Sequence, residues 1–230
     1  MLKPVENLLQ DTNKTNLLTN FIQAVLLSSS TPNGITPAKS KILNPYYLNI
    51  EDVNVVMVNT QPCIHPIDSS GFLFGRKQSQ ITVWDNKFNN YISSLSLYKD
   101  DITYGKTFDY TFQNLFDQNV LMINVIMCAK PYLDYTHSDI LTKNEFSAGY
   151  VSRIALMDEL FYYLNYVDKP LQFIFMEDND IINHYKKQIN RQNVFTMSNL
   201  QKGPDTNNVF YNVNSNLKAL GLTEINFTND

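Results

Sequence analysis

Four short apolar runs, set apart by stretches of helical period, constrain this chain more than any other feature. They are Val53 to Val58, Val120 to Met127 (VLMINVIM), Leu171 to Met176 (LQFIFM) and Val194 to Met197. Continuous runs of this length, rich in Val and Ile, suit strands buried on both faces, as in a parallel sheet. Helix patterns lie around them: Asn16 to Leu27, then a segment that Asp85 can N-cap and that carries Phe88, Tyr91, Ile92 and Leu95. Three more follow at Val151 to Leu164, about Asp178 to Gln188, and Val209 to Leu220, the last stopped by Gly221. The alternation predicts an α/β fold, three-layer αβα, with a central and roughly four-stranded parallel sheet.

At 230 residues with 43% hydrophobic and 13% aromatic content, the chain can bury one substantial core. A single domain over 1–230 is expected, with 1–44 forming an N-terminal helical segment and a loop at SSSTPNGITP. MLKPVENLLQDTNKTN has no apolar segment behind a basic start, and no apolar run reaches bilayer length, so a soluble intracellular protein without membrane contact is expected. Two distant cysteines, Cys63 and Cys128, argue against a disulfide framework and exclude a four-cysteine metal site within the chain; no metal or cofactor is expected. A net charge of −4 and a pI near 5.3 deny a global attraction to nucleic acid, so DNA binding needs a local basic patch or a partner. Lys186, Lys187, Arg191 and Lys202 form the most basic cluster, read either as a solvated helix end or as a small DNA-facing patch.

An open parallel sheet binds its ligand outside the carboxyl ends of its strands. The loops to inspect are therefore Asn59 to Ser70, Cys128 to Asp139, Glu177 to Asp180, and Ser198 to Asp205. The first of these, within VVMVNTQPCIHPIDSSGFLFG, turns polar abruptly after a buried strand. Asn124 stands in an otherwise apolar strand, where a buried amide needs partners; that marks it as a site residue or as a hydrogen bond that fixes the fold.

From Pro45 onward, the order of elements and these loops resemble the uracil-DNA glycosylase superfamily, closest to its family 1 pattern. There the first strand leads into Gly-Gln-Asp-Pro-Tyr-His and then a Gly-Leu-x-Phe-Ser segment. In the same register this chain reads Asn59-Thr60-Gln61-Pro62-Cys63-Ile64 and Gly71-Phe72-Leu73-Phe74-Gly75. The next strand of the family ends Leu-Leu-Leu-Asn, its Asn reading uracil, and VLMIN puts Asn124 there. The resemblance implies a pocket for a flipped base, with Phe74 to stack on the ring, Asn124 to read its edge, and Pro62 and Cys63 beside it. Cys63 replaces a Tyr that blocks the thymine methyl, so discrimination against thymine is expected to weaken.

The departures from the family concern the chemistry. Gln61 stands where an Asp positions the hydrolytic water, and an amide has no basic lone pair to take a proton. Asn199, or Ser198 one residue earlier, replaces a His that bonds the leaving uracil anion, and Asn can still donate to an oxyanion. His65 and Asp68 lie in the first loop and are the candidates to take over as base, although loop residues of these types are more often solvated. His137 falls in a loop that in the family carries a His near DNA. Asp85 occupies the place of a phosphate-holding Ser, where a carboxylate repels phosphate. Gly203, next to Lys202, lies near the place of the wedge Leu, and His184 is expected on a helix surface.

Three functions follow from this reading. The first is a catalytically impaired glycosylase-like protein that binds DNA, uracil-containing DNA included, or a replication partner, as viral members of the superfamily serve a polymerase processivity factor. The second is an active glycosylase with reassigned residues, and the third a module that binds protein alone. The Asn-rich composition together with the resemblance points to a viral or phage source.

Overall fold

Val55–Asn59 (β1), Val120–Asn124 (β2), Gln172–Phe175 (β3) and Val194–Thr196 (β4) form one four-stranded sheet in the order β2-β1-β3-β4. Every pairing is parallel, with Val55 opposite both Val120 and Gln172, and Phe173 opposite Val194. The computed structural model describes residues 37–63, 69–77, 91, 94–95, 109–127, 147–190, 193–197 and 208–228, with 39 and 147–156 by backbone alone. The expected helix at Asn16 to Leu27 and the cap at Asp85 lie outside the described residues.

Strand alternation divides the core between two faces. Val56, Val58, Leu121, Ile123, Phe173 and Phe175 point to one, where they meet the helices Ser147–Tyr166 (α2) and Asp180–Lys186 (α3) through Leu160, Phe161, Leu164, Ile182 and Tyr185. Val55, Met57, Val120, Met122 and Ile174 point to the other. There they meet Phe72 to Phe74, the short helix Gln113–Asp117 (α1) and the helix Val209–Ala219 (α4). This is the expected αβα sandwich. Covering helices on both faces explain why the strands read as unbroken apolar runs.

Some boundaries differ from the sequence reading, for local reasons. The apolar run after Val120 continues to Met127, but β2 ends at Asn124, because Val125, Ile126 and Met127 all enter the core of the α2 face and break the alternation. Helix α1 was not expected. It starts after Phe112, whose backbone is left-handed at φ +60°, and its orphan N–H of Asn114 is satisfied by Asp109, well upstream of a usual cap position.

Helix α4 begins at the expected Val209 and ends at Ala219, one residue before the expected Leu220. Asn208 accepts from the N–H groups of Phe210 and Tyr211 while its own amide donates to Ser94 O, so one side chain caps α4 and ties it to its neighbour. At the other end Gly221, at φ +70°, lets Leu222 N bond Leu217 O and Gly221 N bond Lys218 O, a Schellman closure.

Candidate functional site

The chain runs from β1 outward to β2, then crosses back to β3 on the other side of β1, so the strand order reverses between β1 and β3. The crevice at such a reversal, outside the carboxyl ends of the strands, is where doubly wound sheets hold ligands. Asn59, Thr60, Gln61, Pro62 and Cys63 leave β1 at this point, and all five are buried. Cys63 forms no disulfide.

Asn59 and Asn124 are register partners at the ends of adjacent strands, on the face that carries Met57 and Met122. Asn59 Nδ2 donates to Asn124 Oδ1 at 2.9 Å and to the Gln61 carbonyl, and Asn124 Nδ2 donates to the Leu73 carbonyl at 3.0 Å. Backbone carbonyls only accept, so they fix which end of each amide is nitrogen. The result is a clasp joining β1, β2 and the turn over them. Asn59 Oδ1 is buried and has no hydrogen-bond partner among the described residues, at a cost of about 1–3 kcal/mol.

The turn that supplies the Leu73 carbonyl is built tightly. Ser70 N bonds Gly75 O at 2.9 Å, Gly75 N bonds Phe72 O at 2.7 Å, and Lys41 Nζ reaches across to Ser69 O at 2.7 Å. Burial, reinforced by the nearby Lys77 ammonium, holds the Lys41 pKa below the usual lysine value. Leu73 sits at φ +41°, a conformation costly for a branched residue, and the carbonyl bonded to Asn124 belongs to it. Gly71, at φ +96°, has no room for a Cβ, which would lie 2.7 Å from Lys41 O.

Phe74 is 1% exposed. Its ring meets Phe112 edge to face at 5.2 Å and Tyr91 at 6.2 Å, and Tyr91 in turn meets Phe112 and Phe210, so Phe74 belongs to an aromatic cluster on the α4 face. Burial, with a smaller contribution from the Asp109 charge, pushes the Tyr91 hydroxyl far above the usual tyrosine range.

On the β3 side of the reversal, a carboxylate follows the strand. Glu177 Oε2 accepts from Thr60 Oγ1 at 2.6 Å and from Asn179 Nδ2 at 2.8 Å. Asn179 Nδ2 also donates to Thr60 Oγ1 at 2.8 Å, and Asn179 Oδ1 caps α3 by accepting from Ile182 N. This triad spans the β1–β3 reversal. The loop from Glu177 to Asp180 was marked by the sequence, but no residue in it was singled out; the signal available was a carboxylate immediately after a buried strand.

No family model matches the sequence, and no curated protein matches it. Solved structures do match. A single-residue variant of mimivirus UNG, in complex with UGI, superposes with a TM-score of 0.68 at 14% identity, over 95% of this chain and 83% of that one. Mimivirus uracil-DNA glycosylase itself gives 0.63 at 13% identity, over 92% and 86%. A variant of UNG from Nitratifractor salsuginis gives 0.54 at 11% identity, over 82% of each chain. The chain has the uracil-DNA glycosylase fold.

Within this glycosylase fold, Gln61, Pro62, Cys63 and Asn124 gather at the ends of β1 and β2, and Phe74 lies on the same sheet face. His65, Asp68, Asp85, His137, Ser198, Asn199 and Lys202 lie outside the described residues, as do Cys128, Arg191 and Gly203. His184 is exposed on α3, with its ring nitrogen 3.9 Å from Asp158. Lys187 is exposed, whereas Lys186 Nζ bonds Thr196 Oγ1 at the end of β4. Among the described residues no helix is long and apolar enough to cross a membrane, and no three His, Cys, Asp or Glu residues are grouped to hold a metal ion.

Proposed function

We propose that this protein binds DNA in a glycosylase-type crevice and has lost most or all capacity to cut the glycosidic bond, acting as a DNA-holding or accessory subunit in replication or repair. The observation that carries the reading is Gln61. It stands buried at the end of β1, next to the β1–β3 reversal, where the resembled family has the Asp that positions water. A carboxamide cannot accept that proton near neutral pH. The net charge of −4 makes a purely electrostatic grip on DNA weak, which favours binding to distorted or single-stranded DNA, or with a cationic partner.

The Glu177 carboxylate favours a second reading. It is held at the same reversal by Thr60 and Asn179, and it is a group that could orient a water in an active glycosylase with reassigned residues. The two readings separate in a single-turnover assay with protein in excess over a uracil-containing single-stranded oligonucleotide, followed by alkaline cleavage. Under the first, the wild type leaves no abasic sites, Gln61→Asp restores some, and Glu177→Gln changes nothing. Abasic sites made by the wild type and abolished by Glu177→Gln would overturn it in favour of the second.

A further inference from the structure

We infer that Asn59 is an internal surrogate for a base, occupying the hydrogen-bonding edge of Asn124 and thereby setting whether this crevice can read a nucleobase at all. The inference rests on the reading of Asn124 as the base-reading position. An Asn reads a lactam edge by accepting from a ring N–H and donating to the neighbouring carbonyl. One acceptor site and one donor of that amide are already taken from within the chain, leaving a single lone pair and a single hydrogen: Asn124 Oδ1 accepts from the Asn59 amide at 2.9 Å, and Asn124 Nδ2 donates to Leu73 O at 3.0 Å. The donor that Asn59 presents is a planar amide N–H, the same chemical group as the ring N–H of a uracil.

Three features show that this arrangement is fixed. Asn59 lies directly opposite Asn124 in the β1–β2 register, so its side chain reaches its partner without rearrangement. The Gln61 carbonyl takes the second Asn59 hydrogen, which locks the amide in the orientation that fills Asn124. The orientation is kept although it leaves Asn59 Oδ1 buried without a partner among the described residues. The sequence aligned above has Gly at this position in the resembled family, and a glycine offers no such donor. Asn59 is thus a specificity-determining residue, and the ligand it excludes is a base with a free ring N–H beside a carbonyl.

The test is a titration of ¹⁵N-labelled protein with free uracil and with 3-methyluracil, which lacks the ring N–H, following the side-chain amide signals of Asn59 and Asn124 by NMR. In the wild type, millimolar uracil is expected to leave both signals unmoved. Asn59→Gly, or Asn59→Ala if glycine unfolds the strand end, is expected to bind uracil at least tenfold more tightly than the wild type, shifting the Asn124 signal, with no gain for 3-methyluracil. Saturable movement of the wild-type Asn124 signal by uracil would overturn the inference whatever the variants do. So would a folded variant that gains nothing, or that gains equally for both bases. Because free bases are the probes, failure to bind DNA would refute the proposed function without altering this result.

Discussion

Gly71 and Gly221 both occupy the left-handed region, at φ +96° and +70°, but their surroundings differ. A Cβ at Gly71 would meet Lys41 O at 2.7 Å and Lys41 Cβ at 2.9 Å, whereas nothing lies within 4 Å of one at Gly221. Gly221→Ala therefore carries only the conformational penalty, about 1 kcal/mol. Gly71→Ala adds a backbone clash and disturbs the turn whose Leu73 carbonyl holds Asn124, for a total of about 2–4 kcal/mol. Urea denaturation of the two variants should show this order, and equal losses would contradict the turn geometry. At this scale the sequence was partly legible. Gln61 and Asn124 stood out because their oddity is local, an amide where the resemblance expects a carboxylate and an amide in an apolar strand. Asn59 did not, because its meaning depends on a partner 65 residues away and on the strand register that brings the two together.

At the scale of elements, β1, β2 and β3 were readable because two-sided burial forces an apolar residue at nearly every position, and the end of α4 because Gly221 marks it chemically. The order β2-β1-β3-β4 was not readable, since nothing in an apolar run names its neighbour. Helix α1 was missed because its stabilising carboxylate, Asp109, lies upstream of a left-handed Phe112. The packing between elements has a consequence in alkali. Tyr46, on the α2 face, and Tyr91, on the α4 face, are both fully buried, and burial raises both hydroxyl pKa values well above the ordinary tyrosine value of about 10. Folding therefore favours their neutral forms. The stability this represents is complete below pH 10 and falls as pH rises above it, because the unfolded chain then ionises and the folded one does not. Each tyrosine contributes a slope of about 1.4 kcal/mol per pH unit. Lys41 and Lys169, whose pKa values are lowered mainly by burial, act with the opposite sign, but only up to the ordinary lysine value of 10.5. Stability measured between pH 10.5 and 12 should fall steeply in the wild type and less steeply in Tyr91→Phe, with Tyr46 and Tyr163 still contributing. An unchanged slope would mean that Tyr91 ionises in the folded protein.

At the scale of the whole molecule, the parallel sheet brings the ends of β1, β2 and β3 to one edge, where the Asn59–Asn124 clasp, Gln61 and the Thr60–Glu177–Asn179 triad lie together, while other buried polar residues such as Gln172, Asn208 and Asn214 sit elsewhere in the fold. The fold class followed from the alternation of strands and helices; the triad did not, because its members come from loops about 117 residues apart. Under the proposed function, Gln61 at the position where the resembled family has its Asp leaves the β1–β3 reversal able to hold DNA without cutting it. Hydrogen–deuterium exchange with and without a single-stranded oligonucleotide tests that claim most directly. Slowed exchange is expected at the ends of β1 and β3, in residues 59–63 and 176–179, with the oligonucleotide intact afterwards. Protection confined to other surfaces, or no change at saturating DNA, would contradict it.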